Sequence, residues 1–181
     1  MDPDALIASL QAAAPGVQFE PAASIDGQAT VFVPRDDLPA AARALRDAPD
    51  LAFSLLAELT AVDYWPRVPR YELVYMLVSI AHRRRLRLKV RLSADEASVA
   101  TVSDLWPAAN WLEREVWDLF GIVLDDHPDP RRLLMPEDWD GYPLRKDYPV
   151  QIQMTPRVAE PLQVTAEEFR ESVERDRLTR R

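Results

Sequence analysis

The chain has 181 residues, is 48% hydrophobic and carries a formal net charge of −8, which predicts one acidic globular domain with at most an appended segment and disfavours nucleic acid as a partner. It has no cysteine and only two histidines, His82 and His127. Iron–sulfur clusters, disulfides and thiolate zinc sites are therefore excluded, and a protein-only transition-metal site is disfavoured.

The N-terminal run MDPDALIASL opens with two aspartates and lacks the basic region of a signal peptide. No apolar run approaches the roughly 20 residues that span a bilayer. A soluble, cytosolic protein is expected. Residues 3–13 predict a helix, with Asp2 as a possible N-cap, Leu6, Ile7 and Leu10 on one face, and Pro15-Gly16 as its stop. Short strands are predicted at 17–20 and 29–33 around an Asp26-Gly27 turn. Asp37 is placed to cap a helix over LPAAARALRDA, which Pro49 ends.

Residues 51–63 are ambiguous, and the expectation is a helical turn followed by a strand near Leu59–Tyr64. YELVYMLVSI at 71–80 is rich in strand formers. LRLKVRL at 86–92 alternates, with Leu86, Leu88, Val90 and Leu92 inward and Arg87, Lys89 and Arg91 outward. His82-Arg83-Arg84-Arg85 joins the two as a hairpin. The outward basic row reads as a solvated sheet face, as protection of a sheet edge, or as a docking face for an acidic partner.

A helix is predicted from about Asp104 or Pro107 to Phe120, stopped by Gly121. Its apolar stripe is read as Ala108, Leu112, Val116 and Leu119. Arg114 and Asp118 are four apart and can pair. Trp111 and Trp117 fall off that stripe, which suggests either a partner surface or cover by the chain's own tail. Glu113, Glu115 and Asp118 could serve acid–base or metal chemistry, but Glu113 and Glu115 point apart. His127 has no second histidine or cysteine to support a ligand role.

Beyond Gly121 the periodicity vanishes and prolines recur from 128 to 161. Anchors such as Leu133, Leu134, Trp139, Tyr142 and Tyr148 argue against a polar linker. The expected organisation is an α+β domain over 1–121, a mixed sheet with helices on one face, followed by an extended, proline-rich, partner-wrapping segment over 122–181. A capping-box pattern at Thr165–Glu168 predicts a short terminal helix.

The run Glu113-Arg114-Glu115, then Asp118-Leu119-Phe120, His127 and Arg131-Arg132-Leu133 resembles the signature of the C-type subunit of NADH-quinone oxidoreductase, the 30-kDa subunit of complex I. Gly141-Tyr142-Pro143-Leu144-Arg145-Lys146-Asp147-Tyr148-Pro149 is similar to the family's second block. Asp126 and Pro130 depart from the family's usual glycine and leucine.

The resemblance implies a subunit without catalytic residues or cofactor of its own, in the peripheral arm of a proton-translocating NADH:quinone oxidoreductase. Flavin and iron–sulfur clusters would lie in partner subunits. The partners would be a large quinone-site subunit of the D type and other peripheral-arm subunits, on the cytoplasmic side of a bacterial membrane. In that reading the contact surface comes from Trp111, Glu113, Arg114, Glu115, Trp117 and Asp118 on the helix. The tail adds His127, Arg131, Arg132, Trp139, Tyr142, Arg145, Lys146, Asp147 and Tyr148. Arg131, Arg132, Arg145 and Lys146 would pair with carboxylates, and Arg145→Ala is expected to impair assembly while sparing the isolated fold. A related membrane-bound hydrogenase or ferredoxin-dependent quinone reductase, a carboxylate-dependent hydrolase, and a free adaptor are the competing readings.

Overall fold

The computed structural model describes residues 3–149, 165, 167–171 and 174. The chain divides into two compact units, Met1–Tyr148 and Pro149–Arg181.

In the first unit, α1 (Pro3–Ala13) leads to the short strands β1 (Glu20–Pro21) and β2 (Thr30–Phe32). A 3-10 turn at Arg35–Asp37 runs into α2 (Leu38–Asp47). Asp37 occupies the N-cap position as expected, but its side chain makes no capping hydrogen bond.

Three long strands follow: β3 (Leu55–Asp63), β4 (Tyr71–Ser79) and β5 (Arg84–Leu92). β3 pairs with β4 from Leu55 to Asp63. It therefore begins earlier than the sequence suggests. The Leu- and Ala-rich stretch favours helix locally, but a ladder along a whole neighbouring strand outweighs that small preference. The sheet order is β1-β2-β5-β4-β3. β2 lies parallel to β5 and the other pairings are antiparallel, so the sheet is mixed.

Leu86, Leu88, Val90 and Leu92 are buried, as the alternation predicts. Each such side chain contributes roughly 1.5–3 kcal/mol relative to exposure. They share one core with Leu73, Tyr75 and Leu77 of β4 and with Leu38, Ala41 and Leu45 of α2. The helices thus lie on one face. On the other face the basic row is matched within the chain: Arg87 with Asp26 at 2.7 Å, Lys89 with Glu72 at 2.8 Å and Arg91 with Glu20 at 3.0 Å. Arg91 also lies over the Phe32 ring at 3.6 Å. A free docking row is therefore not what these three side chains form.

α3 spans Ala109–Phe120 and ends on Gly121 in the left-handed conformation, φ 70°. Its buried residues are Ala109, Glu113, Arg114, Val116, Asp118 and Phe120; of the stripe read as Ala108, Leu112, Val116 and Leu119, Ala108 is exposed, Val116 is buried, and Leu112 and Leu119 are half-buried against the core. The helix is rotated because Glu113, a polar residue in any pattern count, points into the interior. α3 packs against β3. Past Gly121, β7 (Val123–Asp125) pairs in parallel with β6 (Ser98–Ala100), two short strands that no periodicity signals. Residues 122–148 belong to the same compact unit as 1–121, so compactness divides the chain later than the loss of periodicity does. In the second unit, the Glu168 carboxylate accepts from the Thr165 N–H at 2.8 Å and the Thr165 hydroxyl accepts from the Glu168 N–H at 3.3 Å. This is the expected capping box.

Candidate functional site

α3 supplies the hydrogen bonds that the segment after it cannot make for itself. Prolines and the absence of regular structure leave backbone groups at 129–135 in need of partners. Asp118, fully buried, answers three of them: its Oδ2 accepts from the N–H groups of Leu133 (3.0 Å), Leu134 (2.7 Å) and Met135 (2.8 Å). Its Oδ1 accepts from Arg132 Nη1 at 2.6 Å. Burial works against that charge, but the amides of Met135, Leu134 and Leu133 and the Arg132 guanidinium outweigh it and hold the carboxyl below its usual range.

Arg114 does the complementary task. It donates to the carbonyls of Arg131 and Arg132, both at 3.0 Å, and pairs with Asp129 at 3.3 Å. The Arg114–Asp118 pair expected from their spacing does not form, because each finds a partner in the tail. Arg132 also donates to the Trp139 carbonyl at 3.0 Å and lies over the Trp117 ring at 5.6 Å.

A second anchor ties residues 144–147 to the sheet. Leu144 N–H donates to the Leu119 carbonyl at 3.1 Å. Arg145 Nε donates to the Phe120 carbonyl at 2.5 Å, and its guanidinium stacks on Tyr142 at 4.4 Å. Arg145 thus caps the last turn of α3 and, among the described residues, pairs with no carboxylate. Asp63, buried at the end of β3, accepts from the N–H groups of Lys146 (2.8 Å) and Trp65 (2.9 Å) and pairs with Arg70 at 2.8 Å. Burial opposes the Asp63 charge, but Arg70 and the two amides overcome it and bring the carboxyl to about 2. Arg70 reaches on to Asp147 at 2.6 Å. Tyr148 closes the segment by donating its hydroxyl to the Asp140 carbonyl at 3.0 Å.

Glu113 is held differently. Its fully buried carboxyl accepts from the Thr101 hydroxyl at 2.5 Å and from the Val102 N–H at 2.7 Å. Burial pushes its pKa up to about 7, against those two hydrogen bonds. His127 Nε2 lies 3.6 Å away and 3.2 Å from the Asn110 carbonyl, while its Nδ1 accepts from the Asp129 N–H at 3.0 Å. That pattern assigns the ring proton to Nε2. A carboxyl beside an imidazole can exchange a proton in principle. Here both are enclosed and engaged with the chain's own groups. Among the described residues no cluster of three or more potential ligands could hold a metal.

The expected contact residues therefore separate by environment. Glu113, Arg114 and Asp118 are buried; Glu115, Trp117, Arg132, Tyr142 and Tyr148 are half-buried. Trp111 remains 60% exposed, and Val123, Leu134 and Leu144 are exposed apolar side chains. Arg131 is exposed and paired with Asp129 at 2.6 Å, and Lys146 is exposed. Trp139 is half-buried, with an indole Nε1 that has no acceptor among the described residues. Asp63, Arg70, Thr101, Trp65 and Val68 escape the sequence reading. Asp63 carries one usable signal: it falls on the inward side of a strand whose other inward residues, Leu59 and Ala61, are apolar. Trp65 and Val68 lie exposed on the following loop.

Known proteins resemble this chain over most of its described length. The family model for the respiratory-chain NADH dehydrogenase 30 Kd subunit matches residues 31–153. A C-type subunit of NADH-quinone oxidoreductase from Roseiflexus castenholzii is 45% identical over 150 residues, 83% of this chain and 86% of that one. Its counterpart from Saccharopolyspora erythraea is 50% identical over 125 residues, covering 68% of this chain but 50% of its own length. Among solved structures, a trypsin-resistant fragment of Nqo5 superposes with a TM-score of 0.57 at 32% identity, over 71% of this chain and 99% of the fragment. A chain of the membrane-bound sulfane sulfur reductase, an archaeal respiratory membrane complex, gives a TM-score of 0.69 at 27% identity, over 83% and 87%.

Proposed function

The chain belongs to the family of the respiratory-chain NADH dehydrogenase 30 Kd subunit, and from that membership we propose that it is a structural subunit of the peripheral arm of a proton-translocating NADH:quinone oxidoreductase. It carries no catalytic residue in this reading and supports electron transfer from NADH to quinone by docking the large quinone-site subunit. Flavin and iron–sulfur clusters reside in partner chains, and the assembly sits on the cytoplasmic side of a bacterial membrane. No described helix is long and apolar enough to cross a membrane.

One observation carries the docking role. Arg114 and Asp118 of α3 are spent on holding the chain's own tail, and apolar side chains of the helix and of the segment after it stay exposed: Trp111, Val123, Leu134 and Leu144. Tryptophan is enriched at interface hot spots, and exposed valine and leucine side chains gain from being covered by a partner. Glu113 and Asp118 act in this reading as internal supports for that surface.

Extraction from membranes in mild detergent, with identification of co-migrating chains, tests the proposal. A large D-type subunit should co-migrate, and Trp111→Ala should weaken that association while leaving thermal unfolding of the isolated chain unchanged. Recovery of the native chain alone would end the docking reading. The match to the sulfane sulfur reductase complex favours one second reading, the same subunit role in a related membrane-bound respiratory complex. Absence of an NADH-oxidising flavoprotein among the co-migrating chains would select it.

A further inference from the structure

Among the described residues most basic side chains are matched to carboxylates, but the β4–β5 hairpin is different. Arg83, Arg84 and Arg85 line a notch of about 340 Å³ together with Gln28 and Ala29 of the loop entering β2 and Leu6 of α1. β2 and β5 run in parallel from Thr30↔Arg87 onward, and the notch lies just before that point. Two groups anchor the hairpin turn from behind: His82 Nε2 donates to the Pro49 carbonyl at 2.8 Å, and Arg84 makes a long contact of 3.5 Å to the Asp50 carbonyl.

Among the described residues, none of these three arginines has a carboxylate partner, in a chain of net charge −8. Asp26, which also lines the notch, is already neutralised by Arg87 at 2.7 Å. The Gln28 Nε2 is buried and has no acceptor among the described residues. Neighbouring Ile25 is fully exposed. Unmatched guanidiniums repel one another, and a buried amide donor without an acceptor is costly to leave unmade. An incoming anion relieves the repulsion among the guanidiniums.

We propose that this notch binds a carboxylate-rich segment of a partner protein, with Arg83–Arg85 engaging its acidic side chains. Forked guanidiniums suit carboxylates. The exposed Ile25 beside the notch supplies an apolar contact that a free anion would not use. Among the described residues of the first unit, Arg67, Arg145 and Lys146 also lack a carboxylate partner, but none of them lines this notch. The site does not require the quinone-site contact proposed above, so the two can fail separately.

Titration of the full chain with a hexaglutamate peptide at low salt, followed by backbone amide NMR shifts, tests the site. Inorganic phosphate and phosphatidylglycerol vesicles are run in parallel. The expected result is saturable shifts confined to residues 25–29 and 83–86. They should weaken about tenfold in the triple variant Arg83→Gln/Arg84→Gln/Arg85→Gln and fade with added salt. Thermal unfolding of the triple variant should stay close to the parent's, since among the described residues the three side chains make no ion pair and Arg84 makes one long contact, to the Asp50 carbonyl. The proposal is overturned by absence of shifts at millimolar peptide, by equal binding in the triple variant, or by a response to phosphate or vesicles that equals or exceeds the peptide's.

Discussion

Asp118 and Glu113 are both fully buried on α3, yet they meet opposite surroundings. Asp118 faces three amides and a guanidinium, and its charge is favoured. Glu113 faces one hydroxyl and one amide, with the His127 ring 3.6 Å away, and burial retains its proton to about pH 7 against an ordinary value of 4.5. The folded chain therefore binds a proton that the unfolded chain has lost over that interval. Stability falls as pH rises from about 4.5 to about 7, by roughly 3 kcal/mol in total, and levels off above. Glu113→Gln keeps the acceptor and removes the titration. Urea unfolding at pH 5 and pH 8 should show a smaller loss in the variant by about that amount; identical losses would mean that Glu113 is already ionised in the fold. Asp63 and Asp118 act with the reverse sign, since their folded values lie below the ordinary 3.8. Their contribution is present above pH 4 and fades as pH falls through the folded values, about 2 for Asp63.

At the scale of elements, the end of α3 is where the two sequence blocks meet. Gly121 takes φ 70°, and a Cβ built there would lie 2.5 Å from both Arg145 Nη2 and the Tyr142 ring. The turn thus needs glycine both for its backbone conformation and for the approach of the later block. Arg145 donates to the Phe120 carbonyl and, at 3.3 Å, to the Gly121 carbonyl. Arg145→Ala leaves those groups without their donor. A loss of about 1–3 kcal/mol in stability of the isolated chain is expected, whereas the sequence by itself suggests that the isolated fold would be spared. An unchanged melting temperature in the variant would mean that Arg145 serves a partner alone.

For the molecule as a whole, residues 122–148 complete the first compact unit, since Asp63, Arg114 and Asp118 all find partners there. A chain ending at Tyr148 should unfold cooperatively. A chain ending at Gly121 leaves Arg114 and Asp118 unanswered, takes one amide from Asp63, and should lose several kcal/mol, on the order of 3–5. Denaturant curves of the two truncations decide the matter; equal midpoints would show that the later segment contributes nothing to the fold. Proline spacing suggests an extended segment beginning at residue 122, because no pattern of hydrophobic residues reveals backbone amides satisfied by a distant carboxylate.

Alternation in 86–92, the glycine stop at 121 and the capping box at Thr165 are legible from the sequence, because each depends on neighbours a few residues apart. Missing cysteines and the two linked blocks likewise carry the exclusion of clusters and the family resemblance. Other features come only with the tertiary structure: the rotation of α3 that buries Glu113, the use of Asp63 and Asp118 to hold the tail, and the matching of Arg87, Lys89 and Arg91. A charged side chain far from its partner in sequence reads as solvent-facing by type alone. Its burial depends on whether the fold brings amides and counter-charges close enough to repay the lost water.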